Sequence, residues 1–449
     1  MPSFKLINFK GDLFATAFCF AAQALIRLGS SLILTRILQP SAYGIITIMM
    51  SIAFVVEMIA DVNVTLFIVR DEKAEQPRYL NTAWTVQFGR AVVNSAVLFL
   101  CAPAIATSIY HLPALTIPLR VFSISFIITG LQSMSFPLAI RRKQARLIMY
   151  SELAAALLSS VFSIIYCYYS RDYWGMVYAI LLNRLLMSIL SHQFYPQFRP
   201  KPQFDGAAAR EILGYSKFTM PSSLLTLALS QFDKVVFLRL FDLNLLGVYG
   251  LAGNIAGSIE SLISKISQSI LYPRCAHNYR TNQENFSLMY YTENSTLFAS
   301  IMILPAALGG AAQLVIAILY PSGYVEAGAV LQAFMLRAAF LSLASPSEDL
   351  LIASGEYKVI LHGNIFRAIG MVAASLSGYY LFGFIGFVYG AALSGLPPLI
   401  YYLWLQRKKG LLIVKYEFYK AGFALGIALS SYLMSTVILA LWPSIRIRI

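Results

Sequence analysis

The sequence predicts an all-α polytopic membrane protein, built as two six-helix lobes related by a pseudo-two-fold axis along the membrane normal, plus one C-terminal span. Three observations predict it. The 449-residue chain is 58% hydrophobic and 12% charged, against roughly 25% charged residues in soluble domains, and its mean hydropathy is +0.69. Apolar runs of about 20 residues, enough to cross a hydrocarbon core as a helix, recur to the end of the chain. They lack ten-residue alternation, and lipid leaves only helices or closed barrels for a spanning backbone, so helices remain. Last, one stretch is written twice. Ile33–Glu57 (ILTRILQPSAYGIITIMMSIAFVVE) matches Val236–Glu260 (VFLRLFDLNLLGVYGLAGNIAGSIE) at one offset (239 − 36 = 203), pairing Arg36 with Arg239, Gly44 with Gly247 and Glu57 with Glu260. Upstream, Gln23, Arg27 and Ser30 fall on Thr226, Ser230 and Asp233. Such self-similarity is the mark of an internal duplication.

The elements follow in order. The run 12–35 comes after Lys5 and Lys10; it is longer than a signal-peptide core and carries Arg27, so it reads as a retained first span. Spans two to six are expected near 42–69, 79–106, 113–140, 147–170 and 173–194. Tyr195–Lys217 has three prolines and basic charge and no spanning run, which makes it the boundary; Gly206–Gly214 reads as a short interfacial helix within it. Spans seven to twelve follow near 217–241, 245–272, 291–319, 327–352, 361–382 and 384–406. Six crossings per half bring both halves into the membrane in the same sense, as parallel repeats. The expected domains are residues 1–200, 206–410 and 411–449, the last holding a span at 421–442 and the tail PSIRIRI. Whether that run is a thirteenth span, the first of a pair, or peripheral stays open.

Charge sets the topology. Lys5/Lys10, Arg70-Asp-Glu-Lys73 with Arg78, Arg141-Arg-Lys143 with Arg146, Arg199/Lys201/Arg210, Arg274/Arg280 and Arg407-Lys-Lys409 fall on one side of the alternating spans. The positive-inside rule makes that side, and the N-terminus, cytoplasmic. Opposite loops (HLP at 111–113, FDLN at 241–244, YPSGYVEAG at 320–328) have no Lys or Arg. The net charge of +14 is accounted for by these loops, so nucleic acid is excluded as a partner. Four cysteines without CxxC spacing and four scattered histidines give no metal pattern.

Inside the spans, polar residues share helical faces. Gln23, Arg27 and Ser30 line span one; Glu57, Asp61 and Thr65 span two; Gln87, Arg90 and Asn94 span three. Thr226, Ser230 and Asp233 line span seven, and Asn254, Ser258, Ser261, Lys265 and Gln268 form the longest stripe, on span eight. An ionisable group at mid-bilayer costs on the order of 2.5–3.5 kcal/mol on insertion scales, so the stripes face either a wet cavity or neutralising partners. In the first case Arg27, Arg90 and Lys265 would hold the phosphates of an anionic head group, Gln23 and Asn254 would line the same cavity, and Glu57, Asp61 and Asp233 would serve ion coupling or gating. In the second, Arg27 pairs with Glu57 or Asp61, Arg90 with Glu293, and Asp233 with Lys234. Arg36 and Arg239 sit near span ends, where snorkelling is expected. No Walker A, HExxH or GxSxG motif and no sizeable catalytic loop is present, so no enzyme is expected.

LTRILQPSAYGI resembles the start of the Wzx-type polysaccharide flippases, within the multidrug/oligosaccharidyl-lipid/polysaccharide exporter superfamily. DYWGMVYAILLNRLL, SQFDKVVFLRLFDLNLLGVYGLAGNIA, ILYPRCAHNY, ILYPSGYVEAGAVLQAF and LIASGEYK follow in that family's order, over about residues 10–410. The resemblance implies a MATE-like fold and a cationic cavity. It implies alternating access that moves undecaprenyl-pyrophosphate-linked oligosaccharide from the cytoplasmic to the periplasmic leaflet of the bacterial inner membrane, coupled to H+ or Na+. Polysaccharide polymerase and glycosyltransferases of the same pathway, and membrane lipids, are the implied partners; Arg27, Asp233 and Lys265 carry over by span position. Two departures from the family pattern stand out: thirteen spans rather than twelve or fourteen, and Asn63 where a small residue is usual. A cation-coupled drug exporter of the same superfamily is the alternative that Glu57, Asp61 and Asp233 suit. A membrane glycosyltransferase or polymerase is the other.

Overall fold

A computed structural model of the chain describes residues 9–59, 64–142, 144–193, 200–214, 231–234, 236–237, 240–281, 283–356 and 358–441. Its regular secondary structure is helical throughout these residues. The chain divides into two compact units, Met1–Leu227 and Ala228–Ile449.

The first unit contains α1 (Phe9–Ile37), α2 (Pro40–Ile59), α3 (Val64–Arg70), α4 (Pro77–Ala104), α5 (Thr116–Gly130), α6 (Ser135–Arg141), α7 (Ala145–Ser170), α8 (Trp174–Gln193) and α9 (206–214). The expected second span covers α2 and α3, with residues 60–63 outside the described ones, and the fourth is divided between α5 and α6. The α5–α6 break frees backbone groups that lipid cannot satisfy, and α8 supplies partners. Ser133 N donates to Ser191 Oγ (2.9 Å), and a His192 ring nitrogen meets Leu131 O (2.9 Å). The expected interfacial helix is α9. It buries Ala208 and Ile212 against Val64, Phe67, Ile68 and Leu138. Asp205 Oδ1 caps it by accepting from Ala207 N and Ala208 N, and Arg78 ties that carboxylate to α4 at 2.7 Å. Residues 201–214 are therefore strapped onto the first unit.

The second unit has helical residues at 231–234 and 236–237, then α10 (Leu243–Ile266), a π-turn at Ser267–Leu271, α11 (Tyr272–Thr281), α12 (Phe286–Glu293), α13 (Ser295–Leu319), α14 (Ala327–Ala353), α15 (Lys358–Ala392), α16 (Leu396–Lys408) and α17 (Val414–Leu441). Asp242 Oδ1 caps α10 through Leu245 N (2.8 Å). The helix α15 doubles back at Gly383 (φ 61°, ψ −136°) into two antiparallel arms. The final helix, α17, is packed on α13: Ser431 Oγ donates to Ala307 O (2.6 Å) and Ser435 Oγ to Gly310 O (3.2 Å). Its buried Lys420 bonds Glu417 at 2.6 Å among the rings of Tyr290, Tyr291 and Phe298.

Among the described residues, nine helical stretches are long and apolar enough to cross a membrane, making this a multi-pass membrane protein. The helices α1 (29 residues) and α10 (24 residues) also have the length of a span.

The duplication is visible inside each unit. Pro40 opens α2 and Leu243 opens α10, in the register of the repeated stretch. A second repeat runs at another offset (379 − 168 = 211): YYSRDYWGMVYA at 168–179 falls on YYLFGFIGFVYG at 379–390. Its tight contacts keep that offset. A Cβ on Gly175 would lie 2.4 Å from Cys167 Sγ, and one on Gly386 would lie 2.0 Å from Gly378 O. The α7–α8 hairpin and the two arms of α15 thus close on equivalent residues.

Candidate functional site

Two groups of polar residues stand out, one exposed and one buried. The exposed group is the stripe on α10. Asn254, Ser261, Lys265 and Gln268 are exposed and Ser258 is half-buried, while Ala252, Ala256, Ile259 and Ile263 pack inward. The hydroxyls of Ser258 and Ser261 fold back onto the carbonyls of Asn254 (3.1 Å) and Ser258 (2.8 Å), the usual outlet for a hydroxyl within a helix. Asn254, Lys265 and Gln268 lie exposed on the same face.

In the first unit, Arg27 is exposed on α1 and makes no ion pair among the described residues. The expectation that Glu57 neutralises it is not met: Glu57 is half-buried near the end of α2, without a contact to Arg27. Asp61, with Thr226, Ser230, Arg239 and Asn63, lies outside the described residues. Gln23 turns toward α7, its Nε2 donating to Glu152 Oε2 at 3.2 Å. Arg90 is half-buried on α4 and Asn94 is buried. Glu293 accepts from Asn278 Nδ2 at 2.8 Å.

The buried group centres on Asp233. Its Oδ2 accepts the Tyr249 hydroxyl at 2.5 Å and its Oδ1 accepts Lys234 N at 2.9 Å. The Lys234 ammonium reaches Gln231 Oε1 (3.3 Å). Beside this pair, Arg337 Nε donates to Glu260 Oε1 at 2.8 Å, and the guanidinium sits 4.7 Å over the Phe334 ring. Two contacts define the group, Tyr249 with Asp233 and Arg337 with Glu260. With the Lys234 ammonium beside them, two carboxylates face two cations, and low polarity around the cluster strengthens every such interaction. Sequence reasoning had Asp233 alone. Glu260 was marked by the repeat and Arg337 stood out as a lone charge in an apolar span, but no signal linked them.

A third buried contact lies further along α14. Asp349 Oδ2 accepts from Ser267 Oγ at the π-turn, and Ser345 Oγ donates to Ser267 Oγ at 2.8 Å. Among the described residues, no group of three or more His, Cys, Asp or Glu side chains could hold a metal ion.

The family model described as "Polysaccharide biosynthesis protein" matches residues 33–329. The chain belongs to this family. Among similar proteins is the amylovoran biosynthesis protein AmsL of Erwinia amylovora, 24% identical over 268 residues, covering 59% of this chain and 68% of that one. The succinoglycan biosynthesis transport protein ExoT of Rhizobium meliloti (strain 1021) is 21% identical over 350 residues, covering 77% of this chain and 69% of that one.

Solved structures give the fold. The lipid II flippase MurJ in an inward closed conformation superposes with TM-score 0.70 at 14% identity, over 95% of this chain and 92% of that one. An inward-facing multidrug resistance MATE family transporter of the MOP superfamily gives TM-score 0.66 at 16% identity, over 87% and 95%. The polysaccharide family member therefore has the MATE-like fold expected from sequence.

Proposed function

We propose that this family member is a flippase that carries undecaprenyl-pyrophosphate-linked oligosaccharide repeat units across the bacterial inner membrane for surface polysaccharide synthesis. The observations that support the reading are the exposed Arg27 on α1 and, in the other unit, the exposed polar face of α10 with Asn254, Lys265 and Gln268. Cations at bilayer depth that face outward from their own unit need water or an anion beside them, and family membership points to a diphosphate with sugars. Arg27 and Lys265, with Arg90, hold the pyrophosphate: the guanidinium fork bonds two oxygens and the ammonium adds a point charge. Asn254 and Gln23 meet sugar hydroxyls. The acyl tail stays in lipid.

Movement is by alternating access, from an orientation with the N-terminus in the cytoplasm. Asp233, set against Tyr249, Glu260 and Arg337, takes the coupling H+ or Na+, and Glu57 and Asp61 act in gating. The names of the two polysaccharide relatives support this cargo over a drug, and polymerase and glycosyltransferases of the same pathway would act beside the protein. Replacing Arg27 or Lys265 by alanine tests the reading. Each variant, expressed at normal level, should lose surface polymer in the host. Normal polymer from both would remove the cationic head-group site, and dye efflux without a polymer defect would favour drug export.

A further inference from the structure

The two repeated hairpins differ at their tips. The arms of α15 reverse at Gly383 with φ 61°, among Leu381, Phe382, Phe384 and Ile385. The α7–α8 hairpin reverses at Arg171, in the left-handed region (φ 53°, ψ 29°), followed by Asp172. An arginine adopts that backbone only against steric resistance, which glycine does not meet. The fold does not require arginine there, since the sister hairpin turns without a charge. Non-glycine residues held at positive φ concentrate where a side chain is needed for function.

The surroundings say what the side chain serves. The Arg171 guanidinium lies 5.5 Å from the centroid of the Tyr168 ring and makes no ion pair among the described residues. Tyr168 is 58% exposed and Tyr169 81% exposed. Below them runs a ladder of half-buried rings. Tyr173 stacks on Trp174 (5.5 Å, 25°), Trp174 stacks on Tyr178 (5.5 Å, 26°), and Tyr178 meets the Tyr166 ring edge-on (5.5 Å). Asp172 Oδ1 accepts Tyr173 N at 2.6 Å, which fixes the carboxylate beside the ladder. The exposed Tyr168 and Tyr169 rings, a guanidinium fork and a fixed carboxylate in one patch suit a saccharide: apolar C–H faces lie on the rings, and hydroxyls bond the charged groups. Anchoring at the membrane interface needs only the amphipathic rings, and Tyr379 and Tyr380 offer those in the sister hairpin with no charge between.

The geometry points to the α7–α8 tip, Tyr168, Tyr169, Arg171, Asp172 and Trp174, as a saccharide-binding platform. Helix α7 runs 26 residues from the Arg141–Arg142 end, so in the orientation proposed above the tip is where translocated sugars emerge. The inference rests on the flippase reading for its ligand. Arg171 holds the sugar and orients it through Tyr168; the rings provide the floor.

The test uses the purified full chain with Trp84, Trp404 and Trp442 replaced by phenylalanine, so that Trp174 reports alone. The probe is the host's own repeat-unit oligosaccharide, released by mild acid from its lipid carrier. Saturable change in Trp174 emission is expected, weakened at least about 10-fold in Arg171→Gly, as loss of a charged hydrogen-bond donor predicts. The same variant should melt at or above the parent's temperature, because glycine relieves the turn; a loss of binding is then not a loss of fold. Tyr168→Leu with Tyr169→Leu should weaken binding as well. Unchanged binding in Arg171→Gly, or a response to phosphatidylglycerol vesicles and none to the oligosaccharide, would overturn the proposal, the second result assigning the tip to a lipid head group. Polymer loss in the Arg27 and Lys265 variants alongside normal sugar binding by Arg171→Gly would sink this platform and leave the flippase reading standing.

Discussion

Replacing Arg337 by glutamine should destabilise the second unit. The side chain is 24% exposed and Glu260 23% exposed, at 2.8 Å. Removing one partner of a buried pair strands the other, at about 3–5 kcal/mol. With a quarter of each side chain open, the lower end applies, ~3 kcal/mol. For a unit of this size 1 kcal/mol moves the melting temperature by roughly 2–4 °C, so a fall of about 6–12 °C is expected. The assay is thermal unfolding of detergent-purified protein by intrinsic fluorescence, run as a double-mutant cycle with Glu260→Gln. Glu260→Gln with Arg337→Gln removes both charges of the pair and should recover at least half of the loss. A single variant melting within about 2 °C of the parent, or a double variant as unstable as the single, would refute the buried-cluster reasoning.

Three further outcomes follow from the packing. Gly386→Ala should destabilise severely or prevent folding, because the new Cβ would lie 2.0 Å from Gly378 O; recovery and melting of the purified variant measure this. Ile212→Ala should cost about 2–5 kcal/mol, since Ile212 on α9 is fully buried, and should raise proteolysis of residues 201–214. At the same membrane end, the hydrogen bond from Arg142, with Arg141 beside it, holds the Glu75 carboxyl below its ordinary range. A carboxyl lowered in the fold stabilises above its unfolded value of about 4.3 and loses that contribution as pH falls through the folded value. Melting temperature on acidification below about pH 4 should therefore fall more steeply for the parent than for Glu75→Gln.

Long apolar runs made most helices legible, because the bilayer leaves one backbone solution for each. The places where helices stop midway were not. The α5–α6 break stands on Ser191 and His192 of another helix, and nothing near residue 131 announces them. The repeat at offset 203 was visible, yet the hairpin repeat at 211 was missed because an eight-position shift separates the two and a single-offset comparison passes over it. The stripe on α10 was read correctly as a helical face, since 3.6-residue spacing is local. Gln23 shared its face with Arg27 on α1, but its amide is engaged by Glu152 of α7. The Asp233 cluster needed the fold: Glu260 and Arg337 lie 77 positions apart, and a pairing over that distance is invisible to periodicity.

Everything depends on Arg27 and Lys265 meeting water at bilayer depth. In a chain with Cys19, Cys101, Cys167 and Cys275 replaced, single cysteines at positions 27, 254 and 265 can be challenged in intact membranes with a charged, membrane-impermeant thiol reagent, and scored against a cysteine at the exposed apolar Leu100. Rapid modification is expected at positions 27, 254 and 265 and none at Leu100. Protection of positions 27 and 265 equal to that of Leu100 would place them against acyl chains and contradict their contact with water.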